Sequence, residues 1–179
     1  MPLFEFKNKR PKIDPDVAYI SESAIIIGDV AIGRDSVIFD NVVIEGDVAP
    51  VIIGERVNIQ SQSVIHTIPD SVTTIGNNVT VGHRAVVHGA VIEDNVTIGI
   101  GAIIASYSQV GKGSVIGEGS LVPQKKQIPK RVVAVGSPAK VIGNISDEQE
   151  EYAVKIAGFY VHEGQERVKF LKRIDIDKR

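Results

Sequence analysis

The sequence predicts an all-β solenoid, a triangular coil of six-residue repeats, followed by one C-terminal helix. Three observations carry that prediction. The first is a repeat. Stepping by six from Ile26 gives Ile32, Ile38 and Ile44, and the series resumes at Ile53, Ile59 and Ile65, then at Ile75, Val81 and Val87. A five-residue step leads on to Ile92, Ile98, Ile104, Val110, Ile116 and Val122. All 16 positions are Ile or Val, and the register holds for about 100 residues. The second is composition. Aromatic residues make up 5% of the chain and tryptophan is absent, so the core must be built from β-branched side chains, which suit strands. The third is a helix-start signal, "ISDEQEEY", near the C-terminus.

Each element follows in order. A period of six fits neither a helix face nor a simple meander. It fits a prism in which each hexapeptide forms one short side and three make a turn of about 18 residues. The repeated Ile or Val then points inward and stacks on its equivalent one coil away, at the spacing of neighbouring strands, about 4.8 Å. An N-terminal lead-in precedes the coil. Glycine follows the buried position at Gly33, Gly54, Gly76, Gly82, Gly99, Gly111 and Gly117, and three residues later the chain is mostly Val, Ala or Ser. Gly and Asn at the corners are expected to supply the positive φ of sharp turns. The repeat is expected to end near Val122, with 121–142, which holds three prolines, as a connecting segment. A helix is expected over 145–173. Ser146 and Gln149 form a capping box and acids fill the first turn. Gly158 and Gly164 weaken this helix and are the places where it would divide. It should pack along the outside of the prism. The chain thus divides into a solenoid with lead-in and exit, 1–143, and a helical segment, 144–179.

Composition excludes several functions. The net charge is −2 and the pI about 6.1, so no basic surface argues for nucleic acid. There are no cysteines, which removes disulfides and thiolate metal sites. The N-terminus "MPLFEFKNKRPKI" has no apolar run of signal-peptide length, and no stretch approaches the roughly 18–20 apolar residues of a membrane span. A cytoplasmic protein without membrane or nucleic-acid partners is expected.

The stretch "TVGHRAVVHG", residues 80–89, departs from this plain pattern. It holds His83 and His88, two of only four histidines in the chain. On a flat strand that odd spacing would point them to opposite faces. The coil changes the geometry. With the hexapeptides assigned to three faces in rotation, His66 and His88 share a face and stack one coil apart. His83 falls on a different face, within reach of the matching pair on a neighbour if prisms pack about a three-fold axis. The expectation is a homotrimer with a site at each interface. His66 and His88 would come from one subunit and His83 from the next. Three neutral imidazoles and an open position make the ligand set of a catalytic zinc site, and iron or cobalt suits the same donors. His162, alone in the C-terminal segment, is read as a solvated surface residue.

The segments "IGRDSV", "IGERVN" and "IGNNVT" resemble the hexapeptide-repeat family, which implies a left-handed parallel β-helix, an exception to right-handed crossovers. "EGDVAPVIIGERVNIQSQSVIH", "IGNNVTVGHRAVVHGAVIEDNVTIGIGA" and the "VGSPAKVI" exit resemble the γ-class carbonic anhydrases and their close relatives over essentially the whole chain. The resemblance implies that His66, His83 and His88 hold the metal, which lowers the pKa of its bound water so that hydroxide attacks carbon dioxide. It implies that Gln60, in the "N-x-Q" pair with Asn58, orients that hydroxide and that Tyr160 lies near the site. Two departures stand out. The family's R-G-D is Glu45-Gly46-Asp47 here, and its N-x-Q-D-G is Asn58-Ile59-Gln60-Ser61-Gln62. The family's Arg and Asp pair at the subunit interface. Replacing the Arg by Glu45 and the Asp by Ser61 keeps two like charges from meeting. Glu45 is expected one coil below His66 and Ser61 one coil below His83, with Asp47 nearby, all supporting the ligands rather than binding the metal. The acidic proton-shuttle loop of the most active members is reduced here to "TIPDSVTT", which offers only Asp70. Relatives with this short loop include several with weak or no measurable hydration of carbon dioxide.

Three functions therefore compete. The leading one is hydration of carbon dioxide, a small-molecule substrate. A metal-dependent thioesterase or coenzyme A-linked acyltransferase of the same fold is the second. A non-catalytic trimeric metal-binding scaffold is the third. Fold alone does not choose among them.

Overall fold

The computed structural model describes residues 3–174. Its body is a left-handed parallel β-helix, and a helix, Asp147–Phe170, lies along one side. One face carries the strands Val64–His66, Val86–His88, Ile103–Ile104 and Leu121–Val122. The next carries Thr73–Ile75, Val91–Ile92, Gln109–Val110 and Gln127–Ile128. The longer strands Ile25–Ile32 and Val43–Ile53 bend around the corner and join these two faces into one sheet. The last face runs from Tyr19–Ile20 through Val37–Ile38, Asn58–Ile59, Thr80–Val81, Thr97–Ile98 and Val115–Ile116 to Val132–Val135. Every rung pairs in parallel except the strand Lys140–Asn144, which folds back antiparallel on Val132–Val135.

The inward positions are those the repeat marks. From Ile26 to Val122 each repeated Ile or Val is buried, none more than 3% exposed. Burying each such side chain contributes roughly 1.5–3 kcal/mol. The coil continues past Val122, contrary to the expected connecting segment. Gln127–Ile128 pairs with Gln109–Val110, and Val132–Val135 with Val115–Ile116. Ile128 and Ala134 fill the inward positions. Alanine in place of a β-branched residue, and prolines beside the rungs, hid this last turn.

Corner residues supply the positive φ as expected, among them Asn41, Asn78 and Asn95, but the glycines directly after the inward position have another task. They do not supply the positive φ. Two residues later the chain turns left-handed, at Asp35, Arg56, Asn78 and Arg84 and at Gly101, Gly113 and Gly119. The repeated glycine is needed for close approach. A Cβ on Gly82 would lie 2.7 Å from the Ile100 amide nitrogen, and one on Gly99 would lie 2.6 Å from that of Glu118. Buried serines in the second inward row bridge coils, as Ser63 Oγ donates to the Gly82 carbonyl at 2.9 Å.

The helix is continuous across both glycines. Ser146 caps it, accepting from the Gln149 amide at 3.2 Å, while Gln149 Oε1 accepts from the Ser146 amide at 2.9 Å. Gly164 is buried where the helix crosses Tyr19 and Val37; a Cβ there would meet Val37 Cγ2 at 2.9 Å. Its lack of a side chain sets the approach instead of breaking the helix. Three residues on, Arg167 Nη1 donates to Asp40 Oδ2 at 2.9 Å, and its guanidinium lies 4.9 Å from the Phe39 ring centre. The Ser21 hydroxyl and Arg167 together hold the Asp40 carboxyl below its ordinary value. Among the described residues no helix is long and apolar enough to cross a membrane.

Candidate metal site

His66 and His88 are the last residues of their strands, each one step past a buried inward residue. They pair directly across adjacent coils, and their ring centres lie 5.1 Å apart. Both are half-buried. Burial, with the neighbouring His66, holds His88 below its ordinary pKa and keeps it neutral at physiological pH.

Each ring has a different partner. His66 Nε2 lies 3.1 Å from Asp47 Oδ1. His88 Nδ1 lies 2.9 Å from Ser106 Oγ. The Ile44–Ile65 pairing places Glu45 directly below His66, as the repeat predicts. The carboxylate that reaches the ring is nevertheless that of Asp47. The register between Ile25–Ile32 and Val43–Ile53 shifts at Gly28 to Val30, beside the stretch that carries Asp47.

A second group forms where the last face turns into the histidine face. His83 follows the strand Thr80–Val81 and is exposed. Its amide donates to Gln60 Oε1 at 3.2 Å. Gln60 Nε2 donates to Asn58 Oδ1 at 3.4 Å, and Asn58 Nδ2 to Thr80 Oγ1 at 2.8 Å. Tyr160 and Gln60 line the same groove. Burial between helix and coil pushes the Tyr160 phenol above its ordinary pKa, a rise that the neighbouring Gln60 offsets in part. The Ser61 carbonyl accepts from the Arg84 amide at 3.1 Å, which places Ser61 one coil below the His83 corner.

The sequence-derived residues therefore form two clusters. His66, His88, Glu45 and Asp47 gather at one corner; His83, Gln60, Asn58, Tyr160 and Ser61 gather at the other. Among the described residues no three His, Asp or Glu side chains of one chain form a metal-binding group. Asp70 sits exposed on the tip of its turn with φ +64°, and His162 is exposed on the helix.

Two features escaped the sequence reading. Ser106 is one. The other is an outward ladder on the histidine face, where Ile25, Val43, Val64, Val86, Ile103 and Leu121 pair coil to coil without a polar interruption. Its signal is simple: the residue just before the inward one, at every third hexapeptide, is apolar. The helix covers a different face, and Ile103 is 44% exposed. Beside the helix, a groove of about 750 Å³ runs from Gln60 and Tyr160 past Thr97 and Val115 to Ile145.

Comparison with known proteins agrees with the solenoid fold. Residues 89–124 match the family model described as bacterial transferase hexapeptide (six repeats). A protein of Geobacillus kaustophilus named carbonic anhydrase is 42% identical over 91% of this chain and 89% of its own. The Arabidopsis thaliana mitochondrial gamma carbonic anhydrase 2 is 36% identical over 98% of this chain and 66% of its own. A solved structure of a hexapeptide transferase family protein from Anaplasma phagocytophilum superposes with a TM-score of 0.86 at 30% identity, covering 92% of this chain and 96% of that one. The chain belongs to the γ-carbonic-anhydrase-like family of hexapeptide-repeat proteins.

Proposed function

We propose that the protein is a carbonic-anhydrase-like enzyme that hydrates carbon dioxide at a metal held between subunits of a homotrimer. His66 and His88 of one subunit and His83 of the next would hold the ion. The observation that carries this reading is the direct pairing of His66 and His88, with ring centres 5.1 Å apart, beside an uncovered apolar ladder. A neighbour's His83 corner seated on that ladder would bury it and complete the triad. The donors suit the ion: imidazoles, two of them half-buried, no thiolates, and a His88 whose pKa is held below its ordinary value by burial and the neighbouring ring. Zinc is the default, and iron or cobalt fits the same donor set.

When bound, such an ion supplies a water of lowered pKa as the nucleophile. The chain's own residues would do the rest. Gln60 is fixed at both ends, by the His83 amide and by Asn58, so its amide is aimed without reorganisation. Tyr160 keeps its proton at neutral pH and remains a donor beside Gln60. Asp47 grips His66 and orients it. Proton release rests on solvent and on Asp70 at the exposed turn, so turnover should be slow.

A second reading has its own observation. The groove between helix and coil is largely apolar and ends at Gln60, a shape suited to an acyl group, which favours a thioesterase on the same metal.

The test is metal content and carbon dioxide hydration on one zinc-supplemented preparation, beside His88→Ala. Zinc near one per chain, with hydration lost in the variant, supports the first reading. Zinc without hydration moves the choice to acyl-thioester hydrolysis. No bound metal in the unaltered protein removes both.

A further inference from the structure

His66 and His88 are held through opposite nitrogens, and this separates their roles. His66 is engaged through Nε2 by the Asp47 carboxylate, whereas His88 is engaged through Nδ1 by the Ser106 hydroxyl at 2.9 Å. Ser106 lies one coil beyond His88, on the turn that follows the strand Ile103–Ile104. Its backbone is fixed from both sides. The Ser106 carbonyl accepts from the Lys125 amide at 3.0 Å, and the next residue's amide, that of Tyr107, donates to the Gly89 carbonyl at 2.6 Å. Gly89, directly after His88, has φ +57°, and a Cβ there would lie 3.4 Å from Ser106 Cβ. Turn and histidine are therefore clamped together, and the hydroxyl faces the Nδ1 edge of the ring.

A hydroxyl can accept or donate, whereas a ring nitrogen of neutral histidine does one or the other. We propose that Ser106 is a positioning residue: its Oγ accepts Nδ1–H of His88, fixing the ring and its tautomer so that Nε2 is the nitrogen offered to a metal ion. This rests on the proposed metal site. It adds to that site the residue that decides which nitrogen binds. Partners of this kind, on the far nitrogen of a ligating histidine, set ring orientation and raise ligand basicity.

The experiment has two readouts. Long-range ¹H–¹⁵N correlation spectra of the metal-free protein at pH 8 report the tautomer of His88, assigned by comparison with His88→Gln. The unaltered protein should show the Nδ1–H form, and Ser106→Ala should move His88 toward the Nε2–H form common in free histidine. Zinc titration should then show affinity weakened about 10- to 100-fold in Ser106→Ala. Ser106→Thr, which keeps the hydroxyl, should restore both. An Nε2–H tautomer in the unaltered protein, or a Ser106→Ala protein with the original tautomer and zinc affinity, overturns the proposal. Ser106→Ala and Ser106→Thr losing affinity alike also counts against it, since that marks a packing defect. Failure of the metal site itself reads differently: zinc affinity would then be indifferent to His88→Gln as well, while the tautomer still reports on Ser106.

Discussion

At His88, burial and a neighbouring ring lower the pKa below its ordinary value. The folded chain therefore takes up a proton later than the unfolded chain as pH falls. Stability is complete above the ordinary histidine pKa and is lost as pH drops through it toward the lower folded value. With metal removed by a chelator, the melting temperature should fall between about pH 7 and pH 5, and His88→Gln should flatten that fall. Asp40 contributes at a different pH. Its carboxyl is held below its ordinary value by Ser21 and Arg167, so its stabilisation is lost only in the acid carboxylate range. Equal melting curves for His88→Gln and the unaltered protein between pH 7 and 5 would contradict the environment described for this ring. The residue scale is also where the sequence was least complete. Strand pairing sets Glu45 one coil below His66, yet Asp47 makes the contact, which a register count does not contain.

The C-terminal helix carries two glycines with opposite tasks. Gly164 is pressed against Val37 and Tyr19, and a Cβ there would sit 2.9 Å from Val37 Cγ2. Gly158 has more room, with its nearest neighbour, Arg56 Nη2, at 3.4 Å. Alanine at Gly158 should therefore stabilise the protein by about 0.5–1 kcal/mol through helix propensity. Alanine at Gly164 should cost about 1–3 kcal/mol, since the helix or Val37 must shift. Paired urea denaturation curves check this, and the same sign for both variants would refute the packing argument. The helix end was legible because capping is local: Ser146 and Gln149 meet within one turn. Whether the helix would divide was not, because a glycine reads the same whether it breaks a helix or admits a neighbour.

At the scale of the molecule, the prism presents three unlike faces. One is crossed by the helix, anchored by Arg167 on Asp40. One carries mixed outward residues such as Thr74, Gln109 and Gln127. The histidine face carries the apolar ladder. Glutamate at Val86, in the middle of that ladder and two residues from His88, should reduce the proposed trimer to single chains in light scattering. The coil itself should keep its circular dichroism, because the position points outward. Zinc affinity should fall with assembly, as the third ligand is proposed to come from a neighbour. An assembled Val86→Glu protein that binds zinc normally would refute this use of the face.

The sequence by itself determined the solenoid, its inward column, the helix cap and the stacking of His66 on His88. These follow from periodicity and from contacts within one turn, which a register count captures. Only the tertiary structure decided the extent of the coil, the close approach made at each repeated glycine, the partners of the two rings and the face the helix leaves open. Those depend on side chains about 18 residues apart meeting at hydrogen-bond distance, 2.9 Å for His88 and Ser106 and 3.1 Å for His66 and Asp47, which no count of residues contains.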